Sequence, residues 1–207
     1  GHSFAELKKE NTEVVFNKYN LNSHKRYVSI LPGSRKSEIK NLLPTYIGFI
    51  KEHSKMYSNY EYLIPAVDEL SMHDIKSIIP SSLPIHVHKG CSKDFMSVSD
   101  YSIVTSGTAT LEAAVLGCNP IICYKTSFIN YSIISRMLKI DNVGLPNLLM
   151  GSRVFPELIQ GDCNVQNLMK EAEKMQKAFS QNSYTSILRE LLLGKGFKET
   201  AKKIRTL

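Results

Sequence analysis

Apolar positions along residues 39–50 recur at helical spacing: Ile39, Leu42, Leu43, Tyr46, Ile47 and Ile50, with Lys40, Lys51 and Glu52 on the other faces. That pattern predicts an amphipathic helix starting near Ser37. The run before it, "RYVSIL", is short, continuous and rich in β-branched and aromatic residues, which predicts a buried strand. The same alternation continues. "YEYLIPAV" reads as a strand, residues 69–78 as a helix, "PIHVH" as a strand, "SKDFMSV" as a short helix and "YSIVT" as a strand. "SGTATLEAAVLG" follows as a helix opened by Ser106, Gly107 and Thr108 and closed by Gly117, and Pro120 then opens the strand "PIICY". Residues 4–20 read as a polar helix joined to the first strand by "NLNSHK".

Short apolar strands alternating with helices predict a parallel sheet with helices on both faces and right-handed crossovers. The fold class expected is therefore a Rossmann-like α/β domain over residues 25–207, preceded by a helix and linker over residues 1–24. Beyond Ser127 the pattern changes. "FINYSIISRML" predicts an apolar helix, "NVGLPNLLMGSR" is turn-rich, and residues 164–206 read as helical, interrupted at Gly194 and Gly196. These form C-terminal helices after the sheet.

Two loops carry candidate chemistry. "LPGSRKSEI" places a Pro-Gly turn, Ser34 and Arg35 between the first strand and its helix. A helix start offers unpaired amides and partial positive charge, and a guanidinium beside it adds a two-pronged donor, so the arrangement suits a phosphate; an ordinary strand-to-helix turn is the plainer alternative. "TSGTATLE" repeats the geometry. Ser106, Gly107 and Thr108 offer backbone NH groups and hydroxyls, and Glu112 lies one turn in, where a carboxylate can accept from paired hydroxyls such as those of a ribose or serve the helix start itself. Both loops are expected at the carboxyl ends of strands, where open α/β sheets bind ligands. Neither GxGxxG nor the Walker GxxxxGK[ST] pattern occurs, which argues against a dinucleotide dehydrogenase and a P-loop NTPase. Asp-x-Asp is also missing, so a sugar-nucleotide enzyme of this kind would neutralise its leaving diphosphate with helix ends and cations rather than a metal.

Composition narrows this further. A formal net charge of +7 favours anionic partners: nucleotides, nucleic acid or an acidic lipid surface. The lysines are scattered and no RNP-like or zinc-finger spacing appears, which disfavours nucleic acid. The four cysteines, Cys91, Cys118, Cys123 and Cys163, lack CxxC spacing and read as reduced core residues of a cytosolic protein. No apolar run reaches membrane-spanning length, so membrane contact would be peripheral. The chain opens Gly-His-Ser rather than on methionine, which predicts natural sequence upstream. His86 and His88 share a strand face as two metal ligands would, but no third ligand is placed with them, and the expectation is a polar rim without a metal.

"LPGSRKSEI", "SGTATLEAAVLGCNPIICYKTS" and "VGLPNLLMGSRVFPELIQ" together resemble the C-terminal half of the lipid-A-disaccharide synthases, glycosyltransferases of the two-domain GT-B architecture. The likeness runs from about Arg26 to about Lys177. The resemblance implies transfer of 2,3-diacylglucosamine from its UDP donor to 2,3-diacylglucosamine 1-phosphate, with release of UDP and no cofactor or metal. It also implies that Ser34, Arg35, Ser106, Gly107 and Thr108 meet the donor diphosphate and that Glu112 holds the ribose. Asn147 and Gln160 would lie near the active site, and uracil against the backbone at Gly90 and Cys91. The family's N-terminal domain, which resemblance assigns the acceptor site and the catalytic base, is absent from these residues, so the chain by itself should hold donor without catalysing transfer.

The expected partners are UDP-diacylglucosamine and the lipid acceptor, the latter mainly through the absent domain; the basic, apolar helix 128–139 reads first as packing against the sheet, with contact to acyl chains or an anionic membrane surface as the alternative. Location would be cytoplasmic and peripheral to the inner membrane. A homodimer is a further partner reading, with the alternative that self-association is an artefact of surface a missing domain would normally cover. Two other functions fit the loops: another UDP-sugar enzyme, such as a UDP-N-acetylglucosamine 2-epimerase or a MurG-like transferase, which the "LPNLL" run disfavours, and a nucleotide-binding module without chemistry.

Overall fold

A computed structural model describes residues 2–125, 142–177 and 183–193. Two short helices, α1 (His2–Ala5) and α2 (Thr12–Tyr19), precede the alternating units β1 (Arg26–Leu31), α3 (Lys36–Met56), β2 (Tyr60–Ala66), α4 (Glu69–Ile78), β3 (Ile85–Lys89), α5 (Ser92–Val98), β4 (Tyr101–Thr105), α6 (Thr108–Val115) and β5 (Pro120–Tyr124). After residues 126–141 come α7 (Leu145–Met150), β6 (Glu157–Ile159), a 3-10 turn at Gln160–Asp162, α8 (Val165–Lys177) and α9 (Ser183–Leu192).

The six strands form one sheet in the order β3-β2-β1-β4-β5-β6, parallel throughout. Strand order therefore reverses between β1 and β4, and a crevice opens there at the carboxyl ends. Alternate strand residues feed opposite cores, as the two-residue period requires. Val28, Ile30, Tyr62, Ile64 and Ile103 face the layer of α3, α4 and α8, whereas Tyr27, Leu31, Leu63 and Val104 face α2, α5 and α6. With both faces covered, the strands read as continuous apolar runs rather than alternating ones. The expected Rossmann-like α/β class with helices on both faces is the one found.

Two expectations change. The helix read over residues 4–20 is two helices: the Glu10 amide donates to Ser97 Oγ at 2.9 Å, and the Asn11 side chain then caps α2 by accepting from Glu13 and Val14. The turn-rich stretch contains α7 and leads into the three-residue β6. The C-terminal stretch read as helical carries α8 and α9, while residues 178–182, residues 194–207 and the helix expected at 128–139 lie outside the described residues.

The first residues pack onto the domain. Val15 is buried against Phe95, and the Arg189 guanidinium on α9 donates to Ala5 O, Leu7 O and, at the end of α6, Val115 O. All four cysteines are buried and free. Among the described residues, no helix is long and apolar enough to cross a membrane.

On the other face lies a buried histidine. His53, on α3, has Tyr62 Oη 2.6 Å from its Nδ1 and the Gln176 amide nitrogen of α8 2.8 Å from its Nε2. The amide nitrogen can only donate, so Nε2 accepts and the ring proton sits on Nδ1. Burial lowers the pKa of this imidazole to about 4, which keeps it neutral.

Candidate functional site

A cleft of about 590 Å³ lies across the carboxyl ends of β1, β2 and β4 and beside the end of β3. Seven of the residues expected at a site line it: Ser34, Arg35, Gly90, Cys91, Ser106, Gly107 and Thr108. Sequence positions some seventy residues apart meet here because β1 and β4 are hydrogen-bonded neighbours, with Leu31 level with Val104.

The two phosphate-shaped loops are not equivalent. At the first, Glu38 Oε2 accepts from the Ser34 amide at 3.0 Å and the Arg35 amide at 3.2 Å. The carboxylate thus takes the place an anion would occupy at the start of α3, a capping arrangement between the residue before the helix and the third residue within it. Gly33 makes room for this, with φ +103° and a would-be Cβ only 2.3 Å from Glu38 Oε2. The expectation of unpaired amides at "LPGSR" is therefore corrected. What the turn offers the cleft is the Ser34 side chain and the Arg35 guanidinium, which is 80% exposed and only loosely paired, 3.7 Å from Glu38 Oε1.

At the second loop the amides are open. Gly107, Thr108 and Ala109 donate to no group among the described residues, and the first turn of α6 carries no acidic residue to fill the position. Gly107 keeps the approach clear, since a Cβ there would meet nothing nearer than Thr105 O at 4.0 Å. Open NH groups together with the helix dipole give this end of the cleft the character that suits an anion. Ser106 is a different matter and a second correction: its hydroxyl donates to Val143 O at 2.8 Å and its amide to Cys123 O at 2.8 Å, so its polar groups shape the loop.

At the β3 end, Gly90 turns the chain with φ +65° and its amide donates to Ala66 O at 2.9 Å. Cys91 is buried, its thiol donating to His88 O and its pKa pushed up to about 12 by burial, so only its backbone is offered to the cleft. Glu112 lies outside the lining but shares a helix face with Thr108, four residues earlier. Burial raises its carboxyl pKa, and among the described residues it has no hydrogen-bond partner.

Asn147 and Gln160 are also outside the lining. Asn147 is fully buried, donating to Phe155 O and Glu157 Oε1 and accepting from the Val154 and Phe155 amides, so no polar atom is left over for a ligand. Its placement near the site as a contact is corrected to a place in the framework beside it. Gln160 begins the 3-10 turn after β6 with φ +51°. His86 pairs with Glu61 at 2.7 Å, and the His88 ring packs edge-on against Tyr19 and Phe95.

Two participants were missed in the sequence. Glu38 carries a readable sign, an acidic residue three positions into the helix from its cap. Glu157 carries none, because the groups it binds are reached only when residues 143–157 fold back on themselves.

A sequence model of the family described as Lipid-A-disaccharide synthetase matches residues 1–205. The Lipid-A-disaccharide synthase of Acinetobacter baylyi is 36% identical over 188 residues, covering 84% of this chain and 48% of that protein. That of a Sulfurihydrogenibium species is 34% identical over 229 residues, covering all of this chain and 58% of the relative. The chain spans about half the length of the curated relatives it matches. Among solved structures, the E. coli ADP-heptose lps heptosyltransferase II superposes with a TM-score of 0.58 at 12% identity, over 79% of this chain and 50% of that one. At that identity the likeness speaks to the fold alone, a parallel α/β sheet covered by helices on both faces.

Proposed function

The chain belongs to the Lipid-A-disaccharide synthetase family, and from that premise we propose that it is the donor-binding half of a glycosyltransferase, taking a UDP-linked 2,3-diacylglucosamine in the cleft between β1 and β4. One observation carries this reading: the amides at the start of α6, without a partner among the described residues, lie in the same cleft lining as Arg35. In it, the diphosphate sits on the Gly107 and Thr108 amides under Arg35 and the Ser34 hydroxyl. The ribose hydroxyls reach Glu112, and uracil lies along the backbone at Gly90 and Cys91.

The chemistry follows from where charge grows. As the bond between the sugar and the diphosphate breaks, negative charge accumulates on the departing UDP. Dipoles and a cation fixed at that point lower the barrier because they bind the leaving group more tightly in the transition state than in the ground state. Arg35 suits the role because its guanidinium is charged at every physiological pH and can grip two phosphate oxygens at once. The acceptor, 2,3-diacylglucosamine 1-phosphate, and the base that takes the proton from its hydroxyl belong to sequence outside this chain. The acyl chains and the membrane that supplies them would be met there as well.

Calorimetric titration with UDP, UMP and ADP tests the reading. UDP should bind more tightly than UMP, and Arg35→Ala should weaken UDP by about tenfold while leaving UMP nearly unchanged, the size expected of one exposed charge-assisted contact. Equal affinities for UDP and UMP would remove the diphosphate from the start of α6.

A further inference from the structure

We infer that Glu157 is a positioning residue for the open amides at the start of α6, acting on them through Val143 and Ser106. The role rests on the donor-site reading for what those amides serve, but the linkage is a property of the framework alone. The Glu157 side chain, at the start of β6, is fully buried. Its Oε2 accepts from the Val143 amide at 2.9 Å, and its Oε1 accepts from the Gly144 amide at 3.0 Å and from Asn147 Nδ2 at 2.8 Å. Three NH donors converge on one carboxylate, with the Arg153 guanidinium 3.9 Å from Oε2, and a buried carboxylate held this way fixes the segment that carries them.

That segment begins at the point that matters. Val143 O, in the residue whose amide Glu157 holds, accepts the Ser106 hydroxyl at 2.8 Å. Ser106 directly precedes Gly107, so the placement of residue 143 sets one of the two ties that orient the open amides. The other tie, from the Ser106 amide to Cys123 O, runs to the end of β5. The packing leaves little slack, because a Cβ at Gly144 would stand 2.3 Å from Ile122 Cδ1 and 3.1 Å from Glu157 Oε1. Glu157 is not among the residues that line the cleft, so its effect travels through these bonds.

Glu157→Gln keeps the shape but turns one acceptor into a donor, which sets an amide NH2 against one of the three converging NH groups. The test compares wild type, Glu157→Gln, Ser106→Ala and the double variant, reading hydrogen exchange by NMR and binding of UDP and uridine by calorimetry. Each single variant should speed exchange of the Ser106 amide by about tenfold, the scale of one hydrogen bond lost, while amides of β1 and β2 exchange as in wild type. Each should weaken UDP by about five- to tenfold and leave uridine unchanged, and the double variant should be no worse than the worse single, because both cut the same chain of contacts. Additive losses, equal weakening of uridine, or faster exchange throughout the sheet would overturn the assignment in favour of ordinary destabilisation. Should Glu157→Gln fail to fold, Glu157→Asp, which draws the carboxylate back by one methylene, takes its place, and wild-type exchange at residue 106 in that variant would break the linkage. If wild type binds no UDP, the donor reading fails, and the exchange data still decide the linkage.

Discussion

Asn147→Asp should cost about 3–5 kcal/mol of folding stability at neutral pH, the range for an uncompensated buried charge. The carboxamide is fully buried and spends both of its donors, on Phe155 O and on Glu157 Oε1, each at 2.8 Å. Aspartate keeps the two bonds accepted from the Val154 and Phe155 amides but loses both donors. It also sets a second carboxylate against Glu157 where water cannot screen either. Two carboxylates at hydrogen-bond distance share a proton rather than both ionise, so part of the loss should return as the pH is lowered. Urea unfolding at pH 7 and pH 5 measures both effects. A loss under about 1 kcal/mol would mean that residues 143–157 relax to admit solvent, contrary to the buried framework described above.

Acid should weaken the fold through His53 more than through a histidine on the surface. The imidazole has an ordinary pKa of 6.5 and is lowered to about 4 by burial, so the unfolded chain takes up a proton between those values that the folded chain refuses. The stability that comes from keeping this ring neutral is complete above pH 6.5, falls as pH drops toward 4, and changes no further below that. The total is at most about 3.5 kcal/mol, since each pH unit between the two values is worth about 1.4 kcal/mol. Protonation would also place an N–H on Nε2 opposite the Gln176 amide, so the tie between α3 and α8 is the contact most directly opposed. Unfolding free energies measured from pH 8 to pH 4 for wild type and His53→Gln should converge as pH falls. Parallel curves would show that the ring titrates as it does in water.

The strands were legible because a sheet covered on both sides demands unbroken apolar runs, and "YSIVT" and "PIICY" are such runs set off by serine, glycine and proline. The loops at their ends were legible for a related reason: glycine and small hydroxyl residues directly after a strand leave few other structures available. What escaped the reading is fixed by distant partners. The break before α2 depends on Ser97, 87 residues from Glu10. The closing of the "LPGSR" amides depends on which way one glutamate turns. Asn147 stands in the run that carried the resemblance, and its residue type does not distinguish a group that touches a ligand from one that holds a loop in place. Only the count of its satisfied bonds does so.

The internal carboxylate at the first turn also determines how binding should respond to ionic strength. Among the described residues that line the cleft, Arg35 and Glu38 are the charged ones, and they cancel. The net charge of +7 is therefore carried on other surfaces, where salt screens it within about 8 Å at physiological strength. An anion bound there as proposed would be held at contact range by oriented peptide dipoles and by a guanidinium whose charge Glu38 already offsets, so little of its retention would come from long-range attraction. The basic character of the chain should speed the first encounter with any polyanion in dilute buffer, while retention in the cleft stays nearly constant as salt rises. Attraction and recognition are thus separated within one small domain.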